Sequence, residues 1–263
     1  MNSFGLLVSQ ARYSIIASLR SRHTLSMGAI VPIVMFLGMC VVFGGMEWAG
    51  EPAAVRGAGQ VDDLKTFYVG AFMAYAVMYG AFGSFVVGLT NLRQNGVLKR
   101  LRGTPLPLWT FVLAQFLVVF LVAALAVIGL WLIAGLLYGI DIEAAALVGV
   151  AGYLVVGTLT FVCITFAATC IVGSVTGAQG LSHLAALALA MTSGVFFRID
   201  LLPDIVRSVA EVFPLEPLVN GFQSLYATGT TGVGLDVGNL IVLGSWGFVS
   251  LLVALRFFRW DPQ

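Results

Sequence analysis

Few side chains in this sequence have the type and spacing to do chemistry. His183 is the one ionisable group well inside an apolar run. As a general base it would need a serine in a GxSx setting on a facing helix, the arrangement of an intramembrane protease. Gly83-Ser84 is a loose candidate and Gly173-Ser174 is misordered for that motif, so no site is assembled. With Gln179 and Ser182 nearby, His183 reads more simply as a neutral imidazole hydrogen-bonded across helices. Cys40, Cys163 and Cys170 all fall in apolar runs without ligand spacing, and read as small packing residues. No metal site and no catalytic residue is expected. No GxxxxGK[ST] phosphate loop occurs, so the chain is not expected to bind ATP itself.

The residues with the most distinctive pattern are cations. Asn91 to Pro107, NLRQNGVLKRLRGTPLP, holds Arg93, Lys99, Arg100 and Arg102 and no acid, in a chain that is only 10% charged. Gln94 to Leu101 predicts a short helix, broken at Gly103 and by Pro105 and Pro107. Val97, Leu98 and Leu101 form an apolar edge on it. A small cationic helix with such an edge can insert into a groove on a soluble partner. A loop whose charges only fix orientation is the plainer alternative.

The elements that must position this loop are membrane spans. The chain is 60% hydrophobic, with a mean hydropathy of +1.02, more apolar surface than a soluble domain can bury. Spans are expected at about 25–46, 66–91, 109–139, 145–173, 180–198 and 236–256, each long enough to cross a bilayer, which requires ~20 residues. The break between the fourth and fifth is expected in Gly173-Ser-Val-Thr-Gly-Ala-Gln-Gly180, a cluster of small turn formers. No cleaved signal peptide is expected, because the first apolar run is too long for one. Six spans place both termini on one side with the cationic loop. That side then carries nine basic residues (Arg12, Arg20, Arg22, Arg93, Lys99, Arg100, Arg102, Arg256 and Arg259), against four (Arg56, Lys65, Arg198 and Arg207) on the other. The positive-inside rule makes the richer side cytoplasmic. No acid, Lys or Arg lies within a confident span, which argues against a proton- or sodium-coupled carrier.

Three further patterns stand out. In the first 24 residues Phe4, Leu7, Val8, Ala11, Ile15 and Leu19 share a helical face, with Arg12 at its flank and Arg20 opposite; this predicts an interfacial amphipathic helix. In span two, Tyr68, Phe72, Tyr75, Tyr79 and Phe82 form an aromatic stripe within ~80° of arc. The stripe either lines a pathway for an apolar substrate or packs against neighbouring helices. On another face Gly80, Ser84 and Gly88 form a small-residue row that permits close helix approach. Thr158, Thr160, Thr165 and Thr169 in span four are expected to bond back to their own helix. Between spans five and six, Pro203 suits a helix start and Pro214 ends it, with Arg207 and Glu211 spaced to pair. A second short helix is expected from about Pro217 to Tyr226. This segment, about 203–226, either plugs the outer end of a pathway or lies on the headgroups.

The run Asn95 to Pro107 resembles the motif between spans two and three of type-2 ABC exporter permeases, above all the drug-resistance and polyketide-antibiotic exporters of actinobacteria. In that family Leu-Lys-Arg-Leu and a Thr-Pro-Leu-Pro turn belong to a coupling helix that docks on the nucleotide-binding subunit. The resemblance therefore implies ATPase coupling through Gly96, Val97, Leu98, Lys99, Arg100, Leu101 and Arg102. One departure is that the family often has acids just ahead of the Gly, where this chain has Arg93, Gln94 and Asn95. Asp200 to Arg207 followed by Glu211 to Asn220 resembles the family's segment between spans five and six, which folds as short re-entrant helices at the outer face. That implies an outer gate at Pro203, Arg207, Glu211, Phe213 and Pro214. The interfacial helix matches the family's connecting helix.

The expectation is thus an all-α polytopic membrane protein, one transmembrane domain with six spans, in the bacterial plasma membrane with both termini cytoplasmic. The resemblance implies a non-catalytic permease subunit of an ATP-driven exporter for a hydrophobic or amphipathic substrate. Its partners would be ABC ATPase subunits that carry ATP and Mg²⁺, a second permease copy or homologue, and lipid. The span-two aromatics and His183 are the candidate pathway residues. A secondary transporter and an intramembrane enzyme are the alternatives.

Overall fold

The computed structural model describes residues 12, 14–16, 26–43, 64–103, 108–140, 146–196, 210, 212–226 and 233–257. Every regular element among them is helical. They are α1 (Val31–Phe43), preceded by a π-helical turn Ser26–Ile30; α2 (Leu64–Gln94), with a π-helical stretch Tyr79–Ser84; α3 (Val97–Arg102); α4 (Leu108–Tyr138); α5 (Ala146–Ala168); α6 (Val175–Thr192); α7 (Leu215–Ser224); and α8 (Val237–Phe257).

Four helices are long and apolar enough to cross a membrane: Leu64–Gln94, Thr110–Tyr138, Ala146–Ala168 and Val237–Phe257. At the first expected span the apolar helix described is the shorter Gly28–Phe43. At the fifth it is α6, whose first turns hold Thr176, Gln179, Ser182 and His183. α4 is uncharged throughout and turns Leu125, Ile128, Leu132 and Leu136 outward. Such a face suits hydrocarbon, where it costs nothing to leave unpacked.

α2 is the axis of the bundle. In its most apolar window 88% of residues are buried, against 17% in α8. Helices α1, α4, α5, α6 and α7 all pack on α2, while α8 packs chiefly on α5. The two π-helical segments meet where Gly28 and Gly80 bring their backbones together; a Cβ on Gly28 would lie 3.8 Å from Gly80 Cα. The π-helical stretch also carries a contact between helices. The Thr165 hydroxyl of α5 lies 2.8 Å from Ala81 O and 2.9 Å from Phe161 O.

The entry to α6 differs from the expected break. α5 ends at Ala168, the chain turns through 169–174, and α6 begins at Val175 rather than near 180. The reason is a cap. The Ser174 hydroxyl accepts the Gly177 N–H at 3.0 Å, which starts the helix and draws Gly177 and Gly180 into it. Of the expected N-terminal amphipathic helix, Arg12 and residues 14–16 are described. They are helical, with Arg12 exposed and Ile15 half-buried. Phe4, Leu7, Leu19 and Arg20 lie outside the described residues.

Candidate functional site: the basic end and the buried short helix

At the exit of α2 the chain turns sharply into α3. Gly96 adopts φ +67°, a left-handed conformation that glycine reaches without strain. The Asn95 N–H donates to Asn91 O and the Gly96 N–H to Arg93 O, both at 3.0 Å, closing the last turn of α2. The expected helix over 94–102 is therefore two pieces, with Gln94 belonging to α2 and α3 starting at Val97. Gly96 O accepts the Arg100 N–H at 3.1 Å, which starts α3.

The structure resolves the apolar edge of α3 differently from the sequence pattern. Leu98 is fully buried and belongs to the hydrophobic core, and Val97 is half-buried. Leu98 seats α3 on the bundle and is not presented to a partner. Lys99 and Arg100 are exposed. Leu101 and Arg102 complete the helix.

Arg93 has a role the sequence did not disclose. It is 2% exposed, and its Nη1 donates to Thr169 O at 2.7 Å while Nη2 donates to Val172 O. These acceptors lie in the turn that follows α5, where helix carbonyls have no intrahelical partner and carry partial negative charge. Arg93 thus caps α5 from the end of α2. The planar guanidinium suits two acceptors that a lysine ammonium would serve less well. Taking the charge out of water costs several kcal/mol, which those carbonyls must offset. Its Nε has no hydrogen-bond partner among the described residues. Beside it Gln94 Nε2 donates to Gly173 O at 3.1 Å. The available signal was the replacement of acids by Arg93-Gln94 ahead of Gly96.

The opposite end of the bundle holds α7. Its helix spans Leu215–Ser224, beginning two residues before the expected start, with Pro214 at its N-cap and Pro217 in its first turn. Leu215, Leu218 and Phe222 are fully buried. Three glycine notches seat it. A Cβ on Gly157 of α5 would lie 2.7 Å from Leu218, one on Gly70 of α2 would lie 2.8 Å from the Gln223 backbone, and one on Gly221 would lie 2.4 Å from the Tyr153 ring. Gly157 is eleven residues into α5, or ~16 Å along its axis, so α7 begins near mid-depth of the bundle. It then climbs toward the N-terminal end of α5, where Leu225 faces Gly149.

Two contacts tie this region to α8. The Trp246 indole N–H donates to Val212 O at 2.7 Å, and its ring stacks on Phe213 with centroids 6.3 Å apart. The Tyr153 hydroxyl accepts the Asp236 N–H at 2.9 Å, while the Asp236 carboxylate accepts N–H groups of Gly238 and Asn239 as the cap of α8. Of the expected gate residues, Phe213 is half-buried and Pro214 buried. Pro203, Arg207 and Glu211 lie outside the described residues; of the first of the two expected short helices, only Ala210 and residues 212–214 are described.

The span-two aromatics are interior. Tyr68, Phe72, Tyr75, Tyr79 and Phe82 are all buried. Phe72 packs edge-on against Phe36, Tyr75 and Phe196, and Tyr75 stacks on Tyr79 at 5.4 Å. Within this single chain the stripe is packing. His183 stands apart from it, exposed on α6, with Nδ1 2.7 Å from Gln179 O of its own helix. The threonines of α5 and the turn that follows it divide. Thr169 bonds back to Phe166 O, Thr165 bonds both back and across, Thr160 reaches Leu243 O of α8 at 3.0 Å, and the Thr158 hydroxyl has no partner among the described residues.

Comparison with known proteins bears on the whole arrangement. No curated protein matches the chain. The family model described as ABC-2 type transporter matches residues 7–226, from the N-terminal segment through the end of α7. That match covers most of the 263 residues and both ends of the bundle. The chain belongs to the ABC-2 type transporter family, as a membrane domain of such a transporter.

Proposed function

We propose that this chain is the permease subunit of an ATP-driven exporter, carrying a hydrophobic or amphipathic substrate outward while a separate ABC ATPase hydrolyses ATP with Mg²⁺. Two copies, or this chain with a homologue, form the pathway. All six apolar segments cross the bacterial inner membrane, and both termini and α3 lie in the cytoplasm. The observation that carries this reading is the displayed cationic helix: Leu98 anchors α3 while Lys99 and Arg100 project from it, in a chain of the ABC-2 family. A seated helix with a projecting charged face can be pushed as a rigid piece by a partner, whereas a free loop would absorb the push. The sequence has no phosphate loop and no charge midway along a span, so neither ATP chemistry nor an ion gradient has a home in this chain. At the outer side, α7 and the segment before it form a re-entrant gate, with Phe213 and Pro214 at its turn.

The test is reconstitution of the chain with its co-purifying ATPase in liposomes. Movement of lipophilic dyes or labelled phospholipids that needs ATP and stops with vanadate is expected. Movement driven by a proton gradient without ATP would instead assign a secondary carrier.

A further inference from the structure

Among the described residues Arg93 is the one charged side chain that is buried. A charge that only orients a loop needs no backbone partners, and the exposed Lys99 and Arg100 already fill that role. Arg93 instead grips Thr169 O and Val172 O, and its neighbour Gln94 reaches Gly173 O. Two consecutive residues in the last turn of α2 therefore hold three carbonyls within five residues of the α5–α6 turn. Gly96 and α3 follow at once. On the far side of that turn, α6 packs along the second half of α2; its fully buried positions are small, Ala178, Ser182, Ala186 and Ala190, with Leu181 and Leu189 partly buried beside them, and the Ser182 hydroxyl has no hydrogen-bond partner among the described residues. Small residues at the closest positions leave room for a helix to shift on its neighbour. Beyond that helix packing, the polar tie at this end is the turn that Arg93 and Gln94 hold.

We propose that Arg93 and Gln94 are positioning residues that join α3 to the entry of α6, so that displacement of α3 is carried into α6 as well as along α2. The transmission role rests on α3 being the ATPase-docking element; the join itself does not. The two parts are separable by experiment.

The full chain, with Cys40, Cys163 and Cys170 replaced by alanine, is placed in phosphatidylcholine–phosphatidylglycerol nanodiscs. Spin labels are attached at Lys99→Cys and Gly180→Cys. Gly180 is exposed, and a Cβ there would meet nothing within 4 Å. The parent gives one narrow distance distribution. In Arg93→Met, which keeps an apolar chain but no donors, its width roughly doubles as the turn and α3 move independently. If Arg93→Met fails to assemble, Arg93→Lys, which keeps the charge but loses the fork, broadens less but measurably. Leu130→Ala, a core truncation in α4, serves as the stability control and leaves the width unchanged. An unchanged width in both Arg93 variants, or equal broadening in the control, would overturn the join.

A second pair, Gly180→Cys with Gly244→Cys on α8, is read in the complex with the co-purified ATPase. Adding ATP and vanadate shifts this distance in the parent but not in Arg93→Met, although the ATPase still binds. A full shift in Arg93→Met would overturn transmission and leave docking intact. If no ATPase accompanies the parent chain, the docking reading falls and the join is judged on the first pair alone.

Discussion

The seat of α7 can be tested by adding one methyl group. Gly221→Ala would place a Cβ 2.4 Å from Tyr153 Cε1 and 2.5 Å from Cζ, where ordinary contact begins at 3.4 Å. The gap must open by about 1 Å. Tyr153 is fully buried, and swinging its ring would break the 2.9 Å bond from the Asp236 N–H that secures the start of α8. Overpacking of this kind costs about 1–3 kcal/mol, and a lost hydrogen bond about 1 more. Alanine returns up to about 1 kcal/mol through helix propensity. The net loss is about 1–3 kcal/mol, or roughly 3–10 °C in melting temperature for a chain of this size. The assay is thermal unfolding in detergent or nanodiscs. Gly88→Ala and Gly244→Ala are internal controls: neither added Cβ meets anything within 4 Å, so they should be neutral or slightly stabilising. Pairing Gly221→Ala with Tyr153→Leu should cost less than the sum of the two changes, because the ring that clashes is gone. If Gly221→Ala melts with Gly88→Ala and Gly244→Ala, α7 is not seated against Tyr153 and the notch argument is wrong.

Three other outcomes follow from the packing. Thr165→Val should lower stability by about 0.5–1.5 kcal/mol because it strips the bond to Ala81 O, whereas Thr90→Val, at a buried hydroxyl without a partner, should be neutral or stabilising; equal effects in melting would contradict the π-turn contact. Leu98→Ala should cost about 2–5 kcal/mol in the isolated chain, before any partner is added, since the side chain is fully buried; a melting temperature unchanged without partner would return Leu98 to a docking role. Tyr75→Ala should destabilise by about 3 kcal/mol and Tyr75→Phe far less, because the ring is core; an altered transport rate with unaltered melting would instead mark a pathway residue.

Much of this fold was legible in the sequence. Uncharged runs mark α2, α4, α5 and α8, because a bilayer-length helix has no cheaper arrangement. Gly96 and the prolines at 105 and 107 bracket a short helix whose position differs from expectation by a few residues. The second short helix, placed at Pro217, starts at Leu215. What was hidden depends on tertiary partners. Period alone could not say which side of α3 faces the bundle, so Leu98 read as a docking contact and is an anchor. Arg93 counted as a topogenic charge, since its two carbonyls lie 76 and 79 residues away in sequence. The glycines near 177–180 suggested a break, yet one serine cap outweighs them. The aromatic stripe was recognised, but its burial depends on tertiary neighbours such as Phe36 and Phe196 that no local pattern reports.

The central claim is that α3 is where an ATPase grips this permease, through the face that bears Lys99 and Arg100. The direct measurement is co-purification of the ABC ATPase with the tagged chain, comparing the parent with Lys99→Glu/Arg100→Glu at matched membrane insertion and melting temperature. The expected outcome is ATPase retained by the parent and lost by the variant, with rescue by neither higher expression nor added lipid. Undiminished ATPase recovery with the variant would contradict the claim.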